Sequence, residues 1–158
     1  MSLFHENLIF LDFQASDQFD FLNQMAGFLI KENYVLPSYL EAILERERKY
    51  PTGLPSEPFP VAIPHGDPEH VIEPCIVVVR PHAPIPFGEM GTADSTILAR
   101  YIFMLVVKRA ENQIALLQNM IDMFMREEAM LKLDKADTAS EIMAVLKEYI
   151  NIEKEETE

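Results

Sequence analysis

Two stretches, Pro74-Cys75-Ile76-Val77-Val78-Val79 and Ile97-Leu98 through Val107, are β-branched and aromatic without any regular alternation of apolar and polar residues. A strand packed on one face alternates, so unbroken apolar runs belong to strands covered on both faces. These two are expected at the centre of a sheet, with helices above and below it. Neither run spans a bilayer. A membrane helix needs ~18 uncharged apolar residues, and the longest run, Tyr101 to Val107, has seven.

The flanking sequence supplies the helices. Ser16-Asp17-Gln18 caps a first helix whose apolar positions Phe21, Leu22, Met25, Phe28 and Leu29 fall at helical spacing, ending near Glu32-Asn33. Ser38-Tyr39-Leu40-Glu41 has capping-box spacing and opens a second helix, Ser38 to Lys49. Pro51, Pro55, Pro58 and Pro60 then forbid a helix and predict an ordered loop leading to a short strand, Val61-Ala62-Ile63. Ile85-Pro86-Phe87 reads as a shorter edge strand, because proline is tolerated there and not in a central ladder. A helix is expected over Gln113 to Phe124, with Ile114, Leu117, Ile121 and Phe124 on its apolar face. A C-terminal helix follows the capping box Thr138-Ala139-Ser140-Glu141, with Ile142, Val145, Leu146 and Tyr149 on one face. One more strand is placed at Leu8 to Leu11, and the methionines Met104, Met120, Met123, Met125, Met130 and Met143 are assigned to core packing.

The resulting fold class is α/β, a single domain with a mixed sheet and helices on both faces. Composition agrees, since 158 residues with 49% hydrophobic and 25% charged residues suit one domain with a normal core. The formal charge of −13 disfavours binding to phosphate backbones and anionic lipids. Cys75 is the only cysteine, which excludes an internal disulfide and any multi-cysteine metal site. The N-terminus shows no secretory pattern, so the expected location is cytoplasmic. Residues 153–158 are expected to form an acidic, frayed tail.

Four histidines differ in context. His5 lies in a terminal segment expected to fray, His82 follows an apolar strand, and His70 sits in a polar turn; all three read as surface residues. His65 follows Val61-Ala62-Ile63-Pro64 and precedes Gly66, so a strand end and a fixed proline φ present its ring while the glycine admits close backbone approach. It is either an ordinary turn histidine or a nucleophile, because neutral imidazole with a pKa of ~6.5 offers a nitrogen lone pair. A phosphoryl group placed there needs nearby cations or N–H donors. Arg46 is the candidate cation; alternatively it is a solvated helix-end charge in the Arg46-Glu47-Arg48-Lys49 cluster.

Other chemistries find less support. Five glycines form no nucleotide-binding loop. His65, Asp67 and His70 straddle Pro68 and lack an independent metal-ligand motif. Ser56 and Cys75 carry no nucleophile motif.

The segments Arg46-Glu47-Arg48-Lys49-Tyr50-Pro51-Thr52-Gly53-Leu54 and Val61-Ala62-Ile63-Pro64-His65-Gly66 resemble the IIA components of the bacterial phosphoenolpyruvate-dependent sugar phosphotransferase system, fructose–mannitol class (type 2). The Ala-Ile-Pro-His core with an upstream Arg-Glu is similar to that family's phosphorylation signature, and the resemblance runs over nearly the whole chain, giving one domain over residues 1–152. Tyr50 to Leu54 looks like the galactitol-type branch. The family's usual second histidine falls at Gln113, where the galactitol-type branch also has an amide.

The resemblance implies a five-stranded mixed sheet with helices on both faces and a phosphoryl relay. In that relay His65 accepts the group from the phosphohistidine of HPr and passes it to a cysteine of the cognate IIB component, with a membrane IIC component as an indirect partner. It implies no cofactor, neither nucleotide nor metal. Arg46 and Gln113 enter as charge stabiliser and hydrogen-bond donor; Thr52, Pro64 and Gly66 enter as binding-loop residues. Pro55, Pro58, Phe59 and Phe87 are the apolar candidates for a partner surface. The alternative function is a phosphorylation-state regulatory module that binds a regulator or transporter, as nitrogen-type relatives do.

Overall fold

The computed structural model describes residues 3–150. In chain order the elements are β1 (Phe4–Phe13), α1 (Gln18–Lys31), α2 (Tyr39–Lys49), β2 (Gly53–Leu54), β3 (Val61–Ala62), β4 (Cys75–Pro81), β5 (Ile85–Gly88), β6 (Thr96–Ala99), β7 (Tyr101–Val106), α3 (Ala110–Phe124), α4 (Glu127–Lys135) and α5 (Ala139–Tyr149). The acidic tail lies outside the described residues.

Five strands make one mixed sheet in the order β1-β4-β7-β3-β2. β4 and β7 pair antiparallel through its middle, with Val77 opposite Met104. All six residues of β7 are buried. Alternate side chains of these strands feed two cores, one on each face. Ile76, Val78, Phe103 and Leu105 pack with Leu116, Met120, Met130, Leu133, Ile142 and Leu146 from α3, α4 and α5. Cys75, Val77, Val79, Ile102 and Met104 pack with Phe21, Leu22, Met25, Tyr39 and Ile43 from α1 and α2. The absence of alternation in these strands is thus the record of two apolar faces.

The helix ends follow from local chemistry. Asp17 caps α1 by accepting the Asp20 N–H at 2.8 Å, and the chain leaves the helix through Asn33 at φ 64°, a left-handed conformation asparagine tolerates. At α5 the Thr138 hydroxyl accepts the Glu141 N–H at 3.1 Å, while the Glu141 carboxylate reaches back to the Asp137 N–H at 2.7 Å.

Several expectations are corrected. Ile97 to Val107 is two strands: Arg100 breaks the run, donating its N–H to Pro60 O at 2.8 Å and its guanidinium to Asp134 at 3.0 Å. A charged side chain in a doubly covered strand needs such a partner, so the chain turns there. Ile85–Phe87 joins no edge of the main sheet. It pairs with β6 in a separate two-stranded sheet, and the fifth main strand is Gly53–Leu54. Ser38 makes no capping bond; its hydroxyl meets His70 Nδ1 at 2.7 Å. His5 lies within β1, and Met125 is 71% exposed rather than in the core. α4 is an additional helix, its apolar spacing carried by Ala129, Met130 and Leu133.

The topology brings two chain segments together. β3 runs parallel to β7 as its neighbour, so both end at the same side of the sheet. Beyond β3 the chain continues alongside β7, with Leu105 N–H donating to Pro64 O at 2.9 Å and His65 bridging to Leu105. α3 starts just past the end of β7, and its first turns therefore stand beside the loop that carries His65.

Candidate functional site

His65 is partly buried between Pro64 and Gly66, which are both buried. Its Nδ1 lies 2.7 Å from Ile63 O. A carbonyl only accepts, so Nδ1 carries the proton and Nε2 the lone pair. Burial, foremost, and the nearby Arg46 charge push the imidazole below its ordinary value, outweighing the opposing effect of the Ile63 bond. The ring is therefore neutral at physiological pH, in one tautomer, with a nucleophilic nitrogen facing away from the backbone.

Arg46 and Gln113 approach this loop from different helices. Arg46, in the last turn of α2, is one-third exposed and its Nη1 lies 3.0 Å from Asp67 Oδ1. Its neighbours Arg48 and Lys49 pair with Glu45 on the helix surface, whereas Arg46 pairs with Asp67 of the loop that carries His65. Gln113, in the first turns of α3, donates its side-chain amide to Gly66 O at 3.0 Å. A β-carbon at Gly66 would stand 3.3 Å from the Tyr39 ring and 3.4 Å from Ile43 Cδ1. The absence of a side chain lets the loop sit directly on α2.

Thr52 is placed differently from an exposed binding residue. It is 2% exposed, and its N–H and hydroxyl both donate at 3.0 Å to the carboxylate of Glu47, itself 2% exposed. Burial pushes the Glu47 carboxyl up to about 7, against the lowering effects of the two Thr52 bonds and Arg46. In the sequence Glu47 is only one member of a charged cluster. Its spacing five residues before Thr52 is the available signal, and nothing local shows which charge turns inward.

Asp67, Glu69 and His70 converge to within 4.8 Å, but His65 is not among them; Asp67 is held by Arg46 and His70 by Ser38. Phe87 is fully buried and leaves the partner-surface set, while Phe59 is half-buried against Tyr101 at a ring distance of 5.9 Å. Ile114, beside Gln113, is 61% exposed and belongs to the surface near the site instead of the core of α3.

The description "Phosphoenolpyruvate-dependent sugar phosphotransferase system, EIIA 2" is that of the family model matching residues 2–149. The chain belongs to this family. As an EIIA protein it is a phosphotransferase component of sugar uptake. The galactitol-specific EIIA component of Escherichia coli K12 is 24% identical over 102 residues, which are 65% of this chain and 67% of that protein. The mannitol-specific EIICBA component of Pasteurella multocida is 27% identical over 147 residues, 90% of this chain but only 22% of that longer protein.

Among solved structures, the complex of mannitol enzyme IIA with phosphorylated enzyme IIB from Escherichia coli matches at TM-score 0.74 and 24% identity, covering 92% of this EIIA chain and 99% of the matched one. The nitrogen regulatory protein IIA-Ntr of Neisseria meningitidis matches at TM-score 0.73 and 22% identity, covering 91% and 96%. At these identities the likeness is one of fold. Among the described residues, no helix of this EIIA protein is long and apolar enough to cross a membrane.

Proposed function

We propose that His65 is the phosphoryl carrier of this EIIA protein. In this reading it takes the group from the phosphohistidine of HPr in the cytoplasm and hands it to a cysteine of a cognate IIB component. The observation that carries the reading is the Nδ1–Ile63 bond, which leaves Nε2 as the nucleophile. In the first step the Nε2 lone pair forms the N–P bond while the donor nitrogen departs with the old bonding pair; the proton stays on Nδ1, bonded to Ile63 O, throughout. In the second step a cysteine thiolate forms the S–P bond, and the pair returns to Nε2. Little covalent assistance is needed in such transfers, so positioning and charge dominate.

In this reading Arg46 exchanges part of its Asp67 contact for phosphoryl oxygens, and Gln113 offers a second amide hydrogen beyond the one given to Gly66. Pro64 and Gly66 hold the loop, and Thr52 supports it from beneath. The galactitol-type similarity of Tyr50 to Leu54 and the galactitol-specific relative support uptake of a sugar alcohol through a membrane IIC partner. The regulatory alternative shares the fold, with nearly equal TM-scores to the mannitol and nitrogen-type structures, and is disfavoured by that same segment.

The test is incubation with phosphoenolpyruvate, enzyme I and HPr. One acid-labile phosphate is expected on the wild-type chain and none on His65→Ala. A labelled His65→Ala chain would remove the assignment. Onward transfer to IIB separates relay from regulation.

A further inference from the structure

The buried Glu47 carboxylate begins a chain of hydrogen bonds that ends on the His65 ring. Its oxygens accept the Thr52 N–H and hydroxyl at 3.0 Å. Thr52 O accepts the Ile63 N–H at 3.1 Å. Ile63 O in turn accepts from His65 Nδ1 at 2.7 Å. The links run through the backbones of Thr52 and Ile63. Each donates its own N–H to the group before it and accepts on its own C=O from the group after it, so one path of contacts joins the last turn of α2 to the His65 ring. Because a Cα separates the N–H from the C=O at Thr52 and at Ile63, the coupling along this path is one of position: each bond fixes where the next group sits. Burial at 2% exposure opposes the charged form of Glu47, and the two Thr52 donors are the partners that hold its carboxyl in this position.

We propose that Glu47 is a positioning residue for phosphoryl transfer. It sets the tautomer and the angle of the His65 ring through Thr52 and Ile63, and it indexes the last turn of α2, with Arg46, against the strand that delivers His65. This rests on His65 being the carrier. Glu47 touches neither the phosphoryl group nor the ring; it acts by holding Thr52 O where Ile63 needs it.

What the relay requires of position 47 is an acceptor of the right length, not a charge. A glutamine oxygen can accept the Thr52 N–H, and its amide can donate to the Thr52 hydroxyl, which has lone pairs to spare. Alanine leaves both Thr52 donors buried and unpaired, and Thr52→Val removes only the hydroxyl link.

The experiment pairs two measurements on wild type, Glu47→Gln, Glu47→Ala and Thr52→Val. The first is long-range proton–nitrogen NMR of the histidine rings, with His65→Ala assigning the resonance. The second is single-turnover transfer from phosphorylated HPr, with circular dichroism and melting as controls on folding. Wild-type His65 is expected as a pure Nδ1–H tautomer, and Glu47→Gln should rescue both that signature and transfer to within about threefold. Glu47→Ala should mix the tautomers and slow transfer at least tenfold. Thr52→Val should fall between and carries the test if the alanine variant does not fold. A pure Nδ1–H signature with unslowed transfer in Glu47→Ala or, where that variant does not fold, in Thr52→Val, would overturn the proposal. So would failure of Glu47→Gln to rescue. A wild-type chain that accepts no phosphoryl group fails the carrier reading instead, and the ring spectra still decide whether Glu47 positions His65.

Discussion

Gln113 on α3 and Gly66 in the His65 loop are joined by a hydrogen bond of 3.0 Å, from the glutamine amide to the glycine carbonyl, across 47 residues of sequence. The contact exists because β3 and β7 are parallel neighbours, which sets the start of α3 against the end of β3. An amide at this position is uncharged at every relevant pH; its observed role is a brace on the His65 loop, and in the proposed transfer it would add a hydrogen bond.

Gln113→Ala is expected to slow phosphoryl transfer by about tenfold to a hundredfold, the loss of roughly 1.5–3 kcal/mol associated with a hydrogen bond to a charged group. Single-turnover kinetics with phosphorylated HPr check this. A rate within about twofold of wild type would confine the residue to bracing Gly66.

Arg46→Lys keeps the charge and loses the planar fork. Transfer should slow while the melting temperature stays nearly constant, because the Arg46–Asp67 pair is partly exposed and such pairs contribute only ~0–1 kcal/mol. Parallel loss of rate and stability would make Arg46 a structural ion-pair residue.

The pH profile of transfer should reflect the depressed His65 value. Protonation of Nε2 removes the nucleophile, and the lowered value means this happens at a lower pH than for free imidazole at ~6.5. Acceptance from phosphorylated HPr should therefore hold its rate on acidification past that point, after correction for the donor. A midpoint above it would mean that the ring is more solvated than its burial indicates.

Stability should fall as pH rises through the Glu47 titration. The folded carboxyl lies at about 7 against 4.5 in the free group, so between those values the folded chain holds a proton that the unfolded chain has lost. The contribution is complete below 4.5 and is lost as pH rises through about 7. Its ceiling is roughly 3 kcal/mol, since each pH unit separating the folded and unfolded titrations corresponds to about 1.4 kcal/mol. Glu47→Gln does not titrate, so its stability relative to wild type should increase from acidic to mildly basic pH in urea unfolding. Parallel profiles would place the Glu47 carboxyl near its ordinary value.

Ile114 offers a surface test. Its side chain is 61% exposed beside Gln113, so Ile114→Ser should leave folding intact and weaken docking of HPr or IIB by about tenfold, the scale of one apolar side chain lost from an interface. Titration by NMR reads the affinity directly.

The central strands, most helices and the His65 loop are legible in the sequence because each is specified locally. Doubly covered strands need continuous apolar residues, Asp17 and Thr138 place their own caps, and Pro64-His65-Gly66 constrains its own backbone. Arg100 shows the limit of local specification. Arg100 both interrupts the apolar run and forms a part-buried ion pair, and its partner Asp134 is 34 residues away, so neither outcome is visible in the local sequence.

The sequence by itself determined an α/β chain with a strand-end histidine, and it supplied the residue types of the proposed site. Tertiary structure alone decided that Glu47 turns inward onto Thr52 while Arg46 turns toward Asp67. It also decided that Phe87 is core while Ile114 is surface, and that Gln113 reaches Gly66. The physical reason is that propensity and capping act over a few residues, whereas the burial of a charge or the meeting of two loops depends on which strands become neighbours. Strand order is fixed by packing both faces of the sheet at once.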